Sequence, residues 1–214
     1  MSQRRRTFAD LDGLVDELAA EVQHSGVRFM LGVAGPPGAG KSTAAAQIVA
    51  RASHIVSAFA VPMDGFHRSN DDLVAAGLLP LKGVPATFDA PTFVAHLEAL
   101  RGEPLEPIAW PTYDRSTESV VPGGATISPE ASLIVVEGNY LLLDEPPWDR
   151  VRRLLDAVWY LDVPDDVLVP RLQARHECNR SPAEAAAKVA GTDLPNARLV
   201  AGTKHRADMI VALD

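Results

Sequence analysis

The sequence predicts an α/β fold in three layers: a mostly parallel sheet with helices on both faces, plus a small helical lid. Three observations predict it. The apolar run Arg28 to Ala34 leads directly into a Gly/Pro cluster and then into an alanine-rich stretch of high helix propensity. Further apolar runs recur at intervals wide enough to hold helices, which is the pattern of crossover connections between parallel strands. The 214 residues are 47% hydrophobic and 22% charged, enough apolar material for one substantial core. At roughly 150 residues per domain, the whole chain, 1–214, reads as a single domain.

In chain order, Leu11, Leu14, Val15, Leu18 and Val22 recur at helical spacing. Thr7 and Asp10 are placed to cap that helix and Gly26 to end it. RFMLGVA, from Arg28, reads as a strand buried on both faces, and Thr43 to Ala52 as the helix after the glycine turn. His54 to Val61, Leu133 to Val136 and Ala157 to Leu161 are the other strand candidates. Phe93, Val94, Leu97 and Leu100 mark a helix closed by Gly102. The Pro- and Gly-rich stretch 104–129 is too irregular for a second core and reads as an excursion that shapes a pocket. From Asp162 to Arg180 a helix begins with acidic residues in its first turn, and Pro170 predicts a kink just before Arg171. Ser181, Pro182 and Glu184 then have the pattern of a fresh helix start. Helix, break, helix, with Arg171, Arg175 and Arg180 around the break, is the form of a basic mobile lid over about 171–192.

Charge and cysteine content exclude several functions. Twenty Lys and Arg against 28 Asp and Glu give a net charge of −8, the wrong sign for nucleic acid or anionic lipid. Arg4, Arg5 and Arg6 therefore read as a solvated N-terminal tail. Cys178 is the single cysteine, so no intramolecular disulfide and no cysteine-based zinc site can form. Neither a signal-peptide apolar region nor a run of about 18 apolar residues occurs, so the expectation is a soluble cytoplasmic protein, with a homodimer left open.

The Gly/Pro cluster carries the chemistry. Gly35-Pro36-Pro37-Gly38-Ala39-Gly40-Lys41-Ser42 matches G-x-x-x-x-G-K-[ST], the P-loop, and it follows a predicted strand and opens a predicted helix. A glycine turn aims successive backbone N–H groups at phosphate oxygens, and the helix N-terminus adds partial positive charge. Gly35, Gly38, Ala39, Gly40, Lys41, Ser42 and Thr43 are the expected nucleotide-binding residues. Lys41 would bridge the terminal phosphates and Ser42 would ligate Mg2+. The motif identifies a nucleotide, not a reaction. The chain contains no Asn-Lys pair for an N-K-x-D base reader and no L-S-G-G-Q signature, which leaves a small P-loop kinase or a nucleotide-dependent regulator.

Phosphoryl transfer to an alcohol needs a carboxylate to orient the hydroxyl and take its proton. Asp64 and Glu137 each lie just beyond a predicted strand and precede a glycine, and ligands in such sheets bind beyond the C-terminal strand edges. An Asp-Gly turn and a strand-end surface residue are the plain alternatives. Asp89, ahead of Pro91, is also well placed as a helix cap. His67 lacks metal-ligand spacing and suits a substrate hydrogen bond or packing. Tyr113-Asp114-Arg115 sits in the excursion, where polar residues are usually solvated.

Taken together, GPPGAGKS, PMDGFH, KGVPATFDAP, WPTYDR, VVEGNYLLL with Trp148, RLQARH, and TDLPNARLV followed by ADMIV resemble the phosphoribulokinase/uridine kinase family of P-loop kinases. Within it, the motifs are similar to bacterial fructose transport system kinase-like proteins of the nucleoside/nucleotide kinase group, and the DGF and KG pieces are similar to pantothenate kinase. The resemblance implies the P-loop NTPase three-layer sandwich, with ATP on Gly35 to Thr43. It implies Asp64 as catalytic base and Glu137 on the metal or substrate side. It implies an acceptor pocket lined by His67, Lys82, Asp89, Tyr113, Arg115, Glu137 and Tyr140, and lid arginines at Arg171 and Arg175, the latter catalytic. The sequence departs from the family pattern at Pro170 and at Thr192-Asp193, and the 104–129 stretch lacks the histidine and arginine pattern of uridine kinases. The expected activity is ATP- and Mg2+-dependent phosphorylation of a small-molecule hydroxyl, on a fructose-type sugar first and on a uridine-like nucleoside or pantothenate as alternatives. An ATP-binding regulatory module without an acceptor is the rival of another class.

Overall fold

The computed structural model describes residues 4–102 and 104–212. The first half runs β1 (Arg4–Thr7), α1 (Leu11–Ser25), β2 (Phe29–Ala34), α2 (Lys41–Ala52), β3 (Ala58–Pro62), α3 (Asn70–Ala75) and α4 (Ala90–Arg101). The second half runs β4 (Ile108–Asp114), β5 (Ser119–Ile127), β6 (Leu133–Gly138), α5 (Val151–Leu154), β7 (Ala157–Asp162), α6 (Asp165–Glu177), α7 (Pro182–Lys188), α8 (Leu194–Gly202) and β8 (Met209–Ala212).

Six strands form one parallel sheet in the order β1-β8-β7-β2-β6-β3. The apolar runs have no polar alternation because both faces are covered. Met30, Ile134, Val136, Val158 and Tyr160 point into the layer of α4, α5 and α8. Their neighbours Leu31, Val33, Val135, Trp159 and Leu161 point into the layer of α1, α2 and α6. The expected three-layer sandwich is therefore present. The leading helix begins after the Thr7–Asp10 capping box and ends at Gly26 in the left-handed conformation.

Four expectations need correction. Arg4 to Arg6 are solvated as expected but are not a tail: they pair with Met209 to Val211 as an exposed edge strand. The third strand begins at Ala58 rather than His54, because the amides of Ile55 and Val56 turn back onto the Ala52 carbonyl at the end of α2. The stretch 104–129 still shapes the pocket, but it is one antiparallel hairpin, β4–β5, with a register shift between Trp110 and Thr112, rather than an irregular excursion. Its alternation is masked where the pairing passes over Pro111 on β4 and residues 122–124 on β5, the last of them Gly124, whose Cα lies so close to Thr112 that a Cβ would fall 2.0 Å from Oγ1. Finally, α6 continues through Pro170 to Glu177, and the break lies at 178–181, before the Ser181–Glu184 capping box of α7. From α7 the chain passes through a π-helical segment, Val189–Asp193, into α8.

Strand register positions the site. Glu137 of β6 pairs with Val33 of β2 on one side and with Pro62 of β3 on the other. The turn after β2, Glu137, and the turn after β3 that carries Asp64 therefore stand level at the carboxyl edge of the sheet. Pro62 is tolerated because β3 is an edge strand. The hairpin covers that edge, with Trp110 Nε1 donating to the Pro62 carbonyl at 3.0 Å.

Candidate active site

A cleft of about 640 Å³ opens at this edge, walled by the turn after β2, the Asp64 turn, the Lys82 loop, the hairpin tip and α6 to α8. At its base the backbone bends through Gly38 and Gly40, at φ of 81° and 87°, a left-handed region that glycine enters without strain. Leu172 of α6 packs so closely on Gly38 that a Cβ there would lie 3.1 Å from its Cγ. The phosphate turn and α6 are thus in direct contact.

Lys41 is buried and donates to the Pro36 carbonyl at 2.9 Å. Burial pushes it down to about 8, against the pull of Glu137 and Asp64. Ser42 Oγ donates to Glu137 Oε1 at 2.8 Å. Glu137 is itself buried. Burial and then the charge of Asp64 push its carboxyl above the ordinary range, with Lys41 and Ser42 opposing. Opposite this group, Arg115 Nη2 donates to Asp64 Oδ2 at 2.7 Å. Arg115 reaches Asp64 because the hairpin returns across the Asp64 turn, and Gly65 allows the approach.

His67 stacks on Phe88, ring centroids 3.9 Å apart, with Tyr113 4.8 Å away. Its Nδ1 is buried without a hydrogen-bond partner among the described residues. Burial pushes the imidazole down to about 4, so it is neutral at pH 7. Burial likewise pushes the Tyr113 phenol up to about 12.

The cleft brings together Gly38, Gly40, Lys41, Ser42, Thr43, Asp64, His67, Lys82, Tyr113, Arg115, Glu137 and Arg175 of the residues singled out from sequence. Five others stand apart from its wall. Gly35 and Ala39 belong to the turn's far side, next to Leu161 and the sheet. Asp89 caps α4, accepting from the Thr92 amide at 3.1 Å. Tyr140 is fully buried and donates its hydroxyl to the Gly83 carbonyl, so it supports the Lys82 loop from beneath. Arg171 is exposed on the outer face of α6. Sequence reasoning missed Asn70, Glu118, Asn139, Asn179, Lys188 and Asn196, all on the wall. Asn139 and Asn196 lie within the VVEGNYLLL and TDLPNARLV motifs; the other four have no local motif, and tertiary structure gathers them. Buried His176 and Asp193, joined at 2.6 Å, tie the end of α6 to the π-helical segment.

No protein-family model matches the chain. The chain is 32% identical over 191 residues to the uncharacterized protein YggC of Escherichia coli, covering 87% of this chain and 78% of that one. It is 34% identical over 174 residues to a Schizosaccharomyces pombe protein provisionally named a uridine kinase, covering 75% and 73%. A crystal structure from Silicibacter sp., provisionally described as a fructose transport system kinase, superposes with a TM-score of 0.83 at 34% identity, over 94% of this chain and 98% of that one. The chain belongs to the phosphoribulokinase/uridine kinase family of P-loop kinases. In this kinase the shared motifs fall on structure as well as on the site: the KGVPAT loop is fixed by Tyr140 and by Asn196 Nδ2, which donates to Gly83 O at 3.0 Å. Thr87 Oγ1 closes the loop by accepting from the Gly83 amide at 2.9 Å. No helix among the kinase's described residues is long and apolar enough to cross a membrane.

Proposed function

We propose that this kinase transfers the γ-phosphoryl group of ATP to a hydroxyl of a small polyhydroxy metabolite of the sugar type, with Mg2+ as its metal. The observation that carries the reading is that the phosphate turn and the Asp64–Arg115 pair face each other across one cleft. The acceptor hydroxyl gives its proton to Asp64 as its oxygen forms the bond to phosphorus, and the bond to the ADP oxygen breaks. Arg115 orients the Asp64 carboxylate. Lys41 leaves the Pro36 carbonyl for the phosphates, and Arg175 on α6 closes over them, with 171–192 as the lid.

Mg2+ fits the donor set: Ser42 and Glu137 offer hard oxygens 2.8 Å apart. When bound, the ion neutralises charge on the phosphate oxygens. The reading of a polyol acceptor is supported by Asn139 and by the amino group of Asn70 on the wall, suited to hydroxyl recognition. The half-buried ring of Tyr113 favours a second reading, a nucleoside whose base stacks there.

The test is ADP release from MgATP across sugars, nucleosides, sugar acids and sugar phosphates, with Lys41→Ala as control and the product identified by mass. The expected result is ADP and a phosphorylated product with one acceptor class, lost in the control. ADP at the same rate with and without every acceptor would refute the reading.

A further inference from the structure

The chain carries a net charge of −8, yet six cations line the cleft against four carboxylates. Most of these charges are already matched. Arg115 holds Asp64 at 2.7 Å, Arg180 holds Glu118 at 2.8 Å, and Asp193 is taken by His176 at 2.6 Å. Glu137 faces Lys41 and Ser42. Arg175, Lys82 and Lys188 make no ion pair among the described residues. Arg175 lies one turn from the leucine that packs on the phosphate turn, at the nucleotide end.

Lys82 and Lys188 lie by the hairpin tip, and only neutral groups hold them. Lys82 Nζ donates to Asn70 Oδ1 at 2.7 Å and to the Glu118 carbonyl at 2.8 Å, and it lies 5.1 Å over the ring of Tyr113. Lys188 Nζ donates to the Lys82 carbonyl at 2.8 Å and the Pro80 carbonyl at 3.5 Å. Carbonyl dipoles orient an ammonium without neutralising it. The carboxylates that face them, Glu118 toward Lys82 and Asp193 and Glu118 toward Lys188, are committed to Arg180, Asn179 and His176. Burial accordingly holds both lysines below their ordinary value. Two half-buried ammonium groups from two different elements, one of them donating to the other residue's carbonyl, are short of negative charge that an anionic ligand would supply.

We infer that the acceptor carries an anionic group, a carboxylate or a phosphate, seated on Lys82 and Lys188 by the hairpin tip. The acceptor is then a sugar acid or a sugar phosphate rather than a neutral sugar. The inference rests on the reading of this cleft as a kinase acceptor site, and it adds the feature that selects the substrate.

The experiment measures calorimetric affinity for compounds matched in all but charge, with full-length protein saturated with MgADP so that the phosphate turn is filled. The pairs are glycerate and glycerol, gluconate and sorbitol, ribose 5-phosphate and ribose, and fructose 6-phosphate and fructose. At least one anion is expected to bind about 10- to 100-fold more tightly than its neutral mate, the range of a charge-assisted contact. The preference falls to within about threefold in Lys188→Met and in Lys82→Met, and returns in Lys188→Arg. Preference in the first two pairs identifies a carboxylate, in the last two a phosphate. Equal affinities throughout, or a preference that survives in the Lys82→Met/Lys188→Met double variant, would overturn the inference. Charge preference in binding with no ADP formed from any compound would remove the kinase reading and leave the anion site. ADP formed as fast from a neutral compound as from its anionic mate would do the reverse.

Discussion

Gly65 is where the Asp64 turn packs on the hairpin, and Gly65→Ala measures how tightly the two are coupled. A Cβ at Gly65 would lie 1.9 Å from the Pro111 carbonyl oxygen, 2.4 Å from its carbon and 3.0 Å from the Thr112 nitrogen. These are backbone atoms, so no side chain can swing aside. Ordinary contact begins near 3.4 Å, so the Asp64 turn and the hairpin must separate by about 1.5 Å, an overpacking cost of about 1–3 kcal/mol. Two hydrogen bonds flank Pro111, from Trp110 to Pro62 at 3.0 Å and from Arg115 to Asp64 at 2.7 Å, and neither survives that displacement. Misplacing a reacting group by about 1 Å costs on the order of 100-fold. Gly65→Ala is therefore expected to lower kcat/KM about 100-fold and Tm by about 2–10 °C. ATP affinity should stay within about threefold, because the phosphate turn follows a different strand. Steady-state kinetics with the identified acceptor, thermal unfolding and nucleotide titration on one preparation decide it. Unchanged kcat/KM would refute the claim that the hairpin positions Asp64.

Three further predictions follow from the charges at the base of the cleft and from the hairpin tip. Lys41 is held near 8 in the free protein and phosphates favour its protonated form. ATP affinity should therefore weaken as pH rises through 8, with proton uptake in calorimetry; an affinity flat from pH 7 to 9.5 would contradict the burial of Lys41. The Glu137 carboxyl lies above its ordinary 4.5, so the folded chain binds that proton more tightly than the unfolded chain, and stability present below pH 4.5 is lost as pH rises. Glu137→Gln should raise the nucleotide-free Tm at pH 7 by a few degrees, an effect that fades in acid, while abolishing turnover; a lower Tm at pH 7 would contradict it. Glu118→Gln removes the charge that binds Arg180 and Asn179 to the hairpin tip. KM for the acceptor should rise about 3- to 10-fold, the range of a partly exposed ion pair, and an unchanged KM would show that the contact is idle.

The layers were legible because the sheet is parallel: strands buried on both faces leave uninterrupted apolar runs such as FMLGVA and LIVV, and the phosphate turn is a local motif. Legibility ended where long-range structure overrides local pattern. Arg4 to Arg6 form a strand only because β8 offers an edge, and nothing in RRRT is apolar enough to announce it. The hairpin hides behind Pro111 and Gly124, residues that signal turns, although Gly124 here only makes room for Thr112 of the facing strand. Pro170 reads as a helix breaker, yet α6 passes through it. In the cleft the residues of strand-end motifs, Lys41, Asp64 and Glu137, could be named from sequence because each lies at or just beyond the carboxyl end of a strand. Tyr140 shares the VVEGNY motif but faces the other way, into the core. Lys188 and Glu118 come from a helix end and a hairpin tip with no motif at all.

The central claim is that Asp64 takes the proton of an acceptor hydroxyl across the cleft from a nucleotide held at Lys41. Phosphoryl transfer to the acceptor and ATP affinity, measured together in wild type and Asp64→Asn, test it most directly. The account predicts a loss of about 10²- to 10⁴-fold in kcat with ATP bound as tightly as before. Wild-type turnover in Asp64→Asn with a proven acceptor would contradict it.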